Sequence, residues 1–313
     1  MKLAKILANA SLLAAFGGVA ITAQAQTVPA CAATNGVITE TVTAGAGNWG
    51  SLSSNSICTA QPELFQVKIY KIGVCTATPT APTSTTAFSA ANCTTVFENT
   101  AGAIVDVTKG ITSDLTGNIT RPANGNYVAG YVEMAPQFNL KVSKQFSPAR
   151  ISPKDYNAGS RTTSDYCWSV AGEYMNWGSG QQNTTCGATA GTAGLAVIGM
   201  NGFPTSPTAA SFSYTSTVSG QQVGGYLVQT DKKLPATGTS GQPNGVDRMI
   251  GIATFAAPVA INSGTTGFDT QFNVSAGSTL VLGVGNTGPY TSNVQWFDAV
   301  LAGPFSIMMT ATQ

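Results

Sequence analysis

Residues 62–80 read PELFQVKIYKIGVCTATPT. Phe65, Val67 and Ile69 alternate with Gln66 and Lys68, the period of a half-buried strand. The phase then slips by one. Tyr70, Ile72 and Val74 continue the apolar series on even numbers, with Lys71 at an odd position. A slip of one residue sends a strand's apolar set to its other face. A β-bulge near Ile69–Lys71 produces such a slip by re-aiming the side chains that follow. The alternative is a strand buried on both faces, its lysines reaching water at the ends. A bulge would also let one long strand belong to two sheets at a sandwich corner.

Other period-two runs follow, bounded by Gly, Pro and Asn. They are Val37–Thr43, Thr94–Phe97, Ala103–Thr108 and Tyr127–Met134. In residues 138–146, Phe138, Leu140, Val142 and Phe146 share one side. The second half adds Phe212–Val218, Gly224–Thr230 and the long run Arg248–Ile261, which has the length of a bent strand. Phe268–Val274, Leu280–Val284 and Val294–Val300 come next, the last with Val294, Trp296 and Val300 on one face around Asp298. Phe305, Ile307 and Met309 finish the chain. About a dozen short strands with turn signals between them predict an all-β fold, an antiparallel β-sandwich or jelly roll.

Three stretches break the pattern. Residues 76–92 are rich in Thr, Ala and Pro, 147–194 in Gly, Ser, Asn and Gln, and 231–247 are polar with two prolines. The last two read as irregular insertions. A long irregular segment such as 147–194 is expected to be stapled or functional. The chain reads as one β-sandwich domain over 26–313; two β domains dividing near 150 are the alternative.

Residues 1–25 read as a signal peptide. Lys2 and Lys5 precede the apolar run from Leu12 to Ile21, and Ala23-Gln24-Ala25 is a small-x-small cleavage site. The run is shorter than the roughly 20 residues that a membrane span needs. The expected location is therefore secreted, extracellular or at the cell surface, with the periplasm also open, and without stable membrane insertion after cleavage. Val28-Pro29-Ala30-Cys31 faintly resembles a lipobox, but Cys31 lies well past the apolar run. Acylating it would leave five cysteines, an odd number for an oxidising compartment.

The six cysteines are Cys31, Cys58, Cys75, Cys93, Cys167 and Cys186. Six allow 15 pairings; nearest-neighbour pairing closes three compact loops. A metal site is disfavoured by the lack of any CxxC and of any histidine. No cofactor is expected. Asp114–Asn118 and the Asp231–Asp247 loop are the places where calcium ligands would be sought, and ordinary turns explain both.

Only 9% of residues are charged, against roughly 25% in an ordinary soluble protein. Removing residues 1–25 takes Lys2 and Lys5, so 14 basic and 13 acidic residues become 12 and 13, a net charge of −1. No basic patch can be built for nucleic acid. A near-neutral surface offers little repulsion between copies.

Catalytic equipment is sparse. Serine hydrolysis normally uses a histidine base, and none is present. Ser143-Lys144 and Ser152-Pro153-Lys154 read as chance spacings. Asp165 and Glu173 fall in the most aromatic stretch, DYCWSVAGEYMNWG at 165–178, beside Tyr166, Trp168, Tyr174 and Trp177. The four aromatics are the candidate ligand surface, since flat rings stack on sugars. Packing of Tyr166 and Trp168 around a disulfide at Cys167 is the competing reading. Leu234-Pro235-Ala236-Thr237-Gly238 matches the wall-sorting pattern LPxTG, but 75 residues of strand-like sequence follow, so it reads as a turn.

The expectation is a non-enzymatic, secreted structural protein that self-associates as a filament or coat subunit. Strand addition would use Val37 and Val42 near the N-terminus or Phe305, Ile307 and Met309 at the C-terminus. The alternative is an adhesin or glycan-binding module.

Overall fold

The computed structural model describes residues 28–43, 54–108, 115–157, 162–172, 183–199, 213–218, 221–235, 245–285, 294–303 and 305–312. The 1–25 segment, Asp114, Glu173, Tyr174, Trp177 and Phe212 lie outside them.

The fold is all-β and almost wholly antiparallel. In chain order the strands are β1 (Ala33–Thr34), β2 (Val37–Ile38), β3 (Ser54–Ala60), β4 (Leu64–Cys75), β5 (Cys93–Val107), β6 (Asn118–Ile119), β7 (Gly125–Met134), β8 (Gln137–Lys141) and β9 (Ser143–Arg150). The short helix α1 (Pro153–Asn157) follows. Then come β10 (Ser164–Ser169), β11 (Thr184–Gly187), β12 (Ala196–Gly199), β13 (Ser213–Val218), β14 (Gln221–Val228), β15 (Arg248–Ile261), β16 (Gly267–Asn273), β17 (Ser278–Gly285), β18 (Val294–Ala302) and β19 (Ser306–Thr312).

A nine-stranded sheet runs β12-β8-β4-β7-β15-β14-β13, with β5 on the other edge of β4 and β6 beyond it. Three smaller sheets face it: β18-β17-β3, β16-β19 and β1-β2-β9-β10-β11. One apolar cluster joins the layers. It takes Phe65, Val67, Ile69, Ile72 and Val74 from β4, and Phe268, Phe272, Leu280, Leu282, Phe297 and Val300 from the facing strands. The cluster draws on both sides of position 150.

The bulge in β4 is present. Between Ile69 and Lys71 the register shifts against both β5 and β7. Against β7, Ile69 opposes Met134 and Lys71 opposes Glu133, so Tyr70 is the extra residue. Its effect is the reverse of re-aiming. Ile69 and Ile72 both stay in the same cluster, because the inserted residue cancels the slip in the sequence. The strand does change neighbours there: Leu64–Gln66 pair with β8, and Ile69–Cys75 with β7. The move between sheets happens instead at Val142. There the 138–146 run divides into β8, in the large sheet, and β9, in the five-stranded one. Ser169 stitches that corner. Its Oγ accepts from Val142 N at 3.1 Å, and Val142 O accepts from Ser169 N at 2.8 Å.

Some strands differ from expectation. Thr94–Phe97 and Ala103–Thr108 are parts of one strand, β5. Val37–Thr43 shortens to Val37–Ile38. The strand starts from a two-residue hairpin turn at Asn35 and Gly36, at φ 51° and 82°. Beyond Ile38 the backbone of Glu40 and Val42 is held by the side chains of Arg150 and Gln295 instead of a strand. Val294, Trp296 and Val300 do not share a face. A register shift between Val281 and Leu282 makes Asp298 an extra residue in β18. Phe297 and Val300 therefore face the main core, while Trp296 packs with Ile151 and Val294.

The disulfides join Cys31–Cys58, Cys75–Cys93 and Cys167–Cys186. Cys31 is thus tied to its neighbour's sulfur, which leaves no thiol for lipidation.

Candidate functional site

The described parts of the insertion 147–194 carry a staple. Cys167 and Cys186 stand directly opposite in the β10–β11 ladder. The segment's start is organised by α1. Ser152 is its N-cap and Pro153 its first residue, a position that suits proline's missing N–H. Ser152 Oγ accepts from Asp155 N at 3.1 Å and donates to Asp155 Oδ2 at 2.7 Å. The same carboxylate accepts from Thr185 Oγ1 at 2.6 Å and from Cys186 N at 2.7 Å. Ser152 and Asp155 are thus committed to holding α1 against β11.

Tyr166 and Trp168 lie two residues apart on β10 and so share a face. Both are half-buried, and Asp165 is exposed. Trp168 rests on the returning chain: a Cβ added to Gly191 would come within 2.2 Å of its Cζ2. One side of the indole is therefore used in packing. Tyr174, Trp177 and Glu173 fall outside the described residues, so only the Tyr166–Trp168 half of the aromatic candidate is placed.

The other acid–base candidates are occupied. Lys144 donates to the Gln61 carbonyl at 2.9 Å, and burial lowers the pKa of its ammonium. Asp231 accepts from Lys233 N at 3.0 Å and pairs with its ammonium at 3.3 Å; the backbone hydrogen bond, first, lowers the pKa of its carboxyl. Asp247 pairs with Arg248 at 2.8 Å. No group of three or more His, Cys, Asp or Glu side chains placed to hold a metal ion occurs among the described residues. Leu234 and Pro235, the start of the LPxTG match, are buried.

Two constellations were not legible in the sequence. The first centres on Glu133, buried on the outward face of the large sheet. Its carboxylate meets Lys232 at 3.3 Å and Arg248 at 3.6 Å. Arg248 also stacks 4.0 Å from the Tyr70 ring centre, and Lys68 lies 5.6 Å from the same ring. Beside them Lys71 pairs with Glu98 at 2.8 Å, and that hydrogen bond raises the pKa of the lysine. Glu133 thereby holds both ends of the 231–247 excursion to β7. The signal available was the charge spacing around that loop, whose length hides the pairing.

The second is Arg150, fully buried. It donates to the Trp296 carbonyl at 3.1 Å and to the Glu40 carbonyl, and its guanidinium lies 4.9 Å from the Phe146 ring centre. Burial lowers its pKa to about 10. Gln295 works beside it, donating to Val42 O and accepting from Val42 N, each at 3.0 Å. Together they clamp residues 40–42 across the fold.

The assembly candidates are placed as follows. Val37 sits in β2, which has β1 on one edge and β9 on the other. Val42 is buried under the Gln295 clamp. Phe305 packs 5.4 Å from both Phe65 and Phe138 and 6.3 Å from Phe272. In β19, Ile307 is paired with Phe272 and Met309 with Thr270. Among the described residues β16 is the one strand paired with β19.

No family model, curated protein or solved structure matches this chain. The three disulfides are compatible with an extracellular or oxidising environment. No helix among the described residues is long and apolar enough to cross a membrane.

Proposed function

We propose that this chain is a non-enzymatic, secreted structural subunit that self-associates at the cell surface as a filament or coat. The observation that carries this reading is the sparse charge, 9% of the residues. Part of that charge is also neutralised in place: Lys232 and Arg248 pair with Glu133, Asp247 with Arg248, Lys71 with Glu98 and Lys233 with Asp231. With charge so sparse and partly paired, little repulsion opposes contact between copies.

β19 is the favoured contact strand. Val37 and Ile38 are already paired on both edges, and Glu40 and Val42 are held by Arg150 and Gln295 within their own fold. Withdrawing β19 would expose Phe305 and Phe272, at about 1.5–3 kcal/mol for each ring. Adding a neighbour's strand to the edge of β19 away from β16 carries no such cost.

Negative-stain microscopy of native material, with light scattering of the mature chain, tests the proposal. Ordered fibres or lattices are expected; a monomer at high concentration in both would overturn it. The shared face of Tyr166 and Trp168 favours glycan binding as the second reading. For that, Trp168→Ala should abolish binding on a glycan array.

A further inference from the structure

The loop 76–92 carries eight hydroxyl residues, and the structure sorts them. Pro79, Pro82 and Phe88 are buried, while Thr76, Thr78, Thr80, Thr83, Ser84, Thr85, Thr86 and Ser89 are all exposed. The apolar side is anchored. Phe88 packs 5.4 Å from the Tyr131 ring, Phe88 N donates to Lys232 O at 2.9 Å, and Leu234 N donates to Thr83 O at 3.0 Å. The Cys75–Cys93 disulfide closes the base, and Thr80 and Ser89 exchange backbone hydrogen bonds at 3.1 and 3.2 Å.

Three of the eight hydroxyls are used by the loop itself. Thr76 donates to Asn92 O. Thr83 Oγ1 accepts from the N–H groups of Thr85 and Thr86 and contacts the Thr85 hydroxyl. The hydroxyls of Thr78, Thr80, Ser84, Thr86 and Ser89 have no hydrogen-bond partner among the described residues. Hydroxyls turned into the fold are engaged: Ser152, Ser169, Thr184, Thr185 and Ser278, all buried or half-buried, are each hydrogen-bonded. This loop instead turns five idle hydroxyls outward on a fixed platform, in a Ser/Thr/Pro composition typical of O-glycosylated segments. A surface with so little charge also lacks the usual source of solubility, and attached sugars would supply it.

We propose that the 76–92 loop is an O-glycosylation site, modified at Thr78, Thr80, Ser84, Thr86 and Ser89. The donor is a sugar activated as a diphosphate ester. The hydroxyl oxygen attacks the anomeric carbon and forms the new C–O bond. The bond from that carbon to the diphosphate breaks, and the diphosphate leaves with the electron pair. The hydroxyl proton passes to a base of the transferase. The proposal rests on the export reading of residues 1–25 and is independent of self-assembly.

The test is mass spectrometry of the native secreted protein, reduced and cut with trypsin. Cleavage after Lys71 and Lys109 isolates the loop in one peptide. Expected are one or more added hexose or N-acetylhexosamine units, localised by electron-transfer fragmentation to the five hydroxyls. A bare peptide, or sugar confined to other sites, overturns the proposal. The N-terminal residue is read in the same sample. Gln26 there with a bare loop would refute the modification and leave export standing. The combined substitutions Thr78→Val, Thr80→Val, Ser84→Ala, Thr86→Val and Ser89→Ala keep Thr83 and Thr85 for the turn. In the exported variant the added mass should disappear; a fully retained mass also overturns the proposal. Deleting residues 2–25 tests the dependence on export: sugar confined to the exported chain is expected, and equal sugar on the chain kept inside the cell would overturn that dependence.

Discussion

At the scale of single residues, the most consequential groups are polar ones inside the fold. Arg150 places a cation in the interior with two backbone carbonyls as its hydrogen-bond acceptors. Such bonds to a charged donor contribute about 1.5–3 kcal/mol each. Arg150→Ala should lower stability by about 3 kcal/mol in urea unfolding, and hydrogen exchange at residues 40–42 should accelerate. Asp298 makes an opposite demand. It is the extra residue of β18, half-buried, and burial raises its pKa to about 6 from an ordinary value near 3.8. Below pH 4 the carboxyl is protonated in both folded and unfolded chains. As pH rises from about 4 to 6 it ionises first in the unfolded chain, so stability falls, by up to about 3 kcal/mol. Above about 6 the loss is constant. The variant Asp298→Asn should lack this component. Subtracting its stability curve from that of the parent between pH 3.5 and 7.5 should give a slope confined to that window, with Asn the more stable above it. A flat difference would refute the assignment.

At the scale of elements, β4 shows how much a strand's sequence says and where it stops. Deleting Tyr70 would join Ile69 to Lys71 and leave an unbroken alternation through Val74. The deletion should therefore fold with a melting temperature close to the parent's, losing mainly the Arg248 stack. Deleting Lys68 instead turns Ile69 outward and should prevent folding, and circular dichroism with thermal melts distinguishes the two. The β10–β11 hairpin depends on its staple in a measurable way. Its Cys167–Cys186 bridge closes a 19-residue separation, and replacing both cysteines by serine should cost about 3 kcal/mol through the unfolded state. The β4 bulge was visible because an apolar series changed phase on the page. The β18 bulge was invisible because Val294, Trp296 and Val300 keep phase while the backbone does not. The Asn35-Gly36 turn carried a readable signal, a dipeptide suited to two positive φ values, which the longer Val37–Thr43 run obscured.

At the scale of the whole molecule, the low charge sets the expectation for self-association. If contact between copies is made by backbone pairing and apolar side chains, raising NaCl from about 0.05 to 0.5 M should leave the assembly threshold within about threefold, since screening acts on charges. A change of tenfold or more, read by light scattering, would point to the Glu133–Arg248–Lys71 cluster as the interface. Period-two patterning, turn residues and cysteine count sufficed for the all-β, disulfide-stapled class, because strand faces and loop closure are encoded locally. Only the tertiary structure decided that the crossing between sheets falls at Val142 and that Glu133 grips both ends of a distant loop. It also decided that Arg150 and Gln295 hold residues more than a hundred positions away, and that five hydroxyls of 76–92 face outward. Each of these depends on which segments meet across the core, and local alternation carries no information about that.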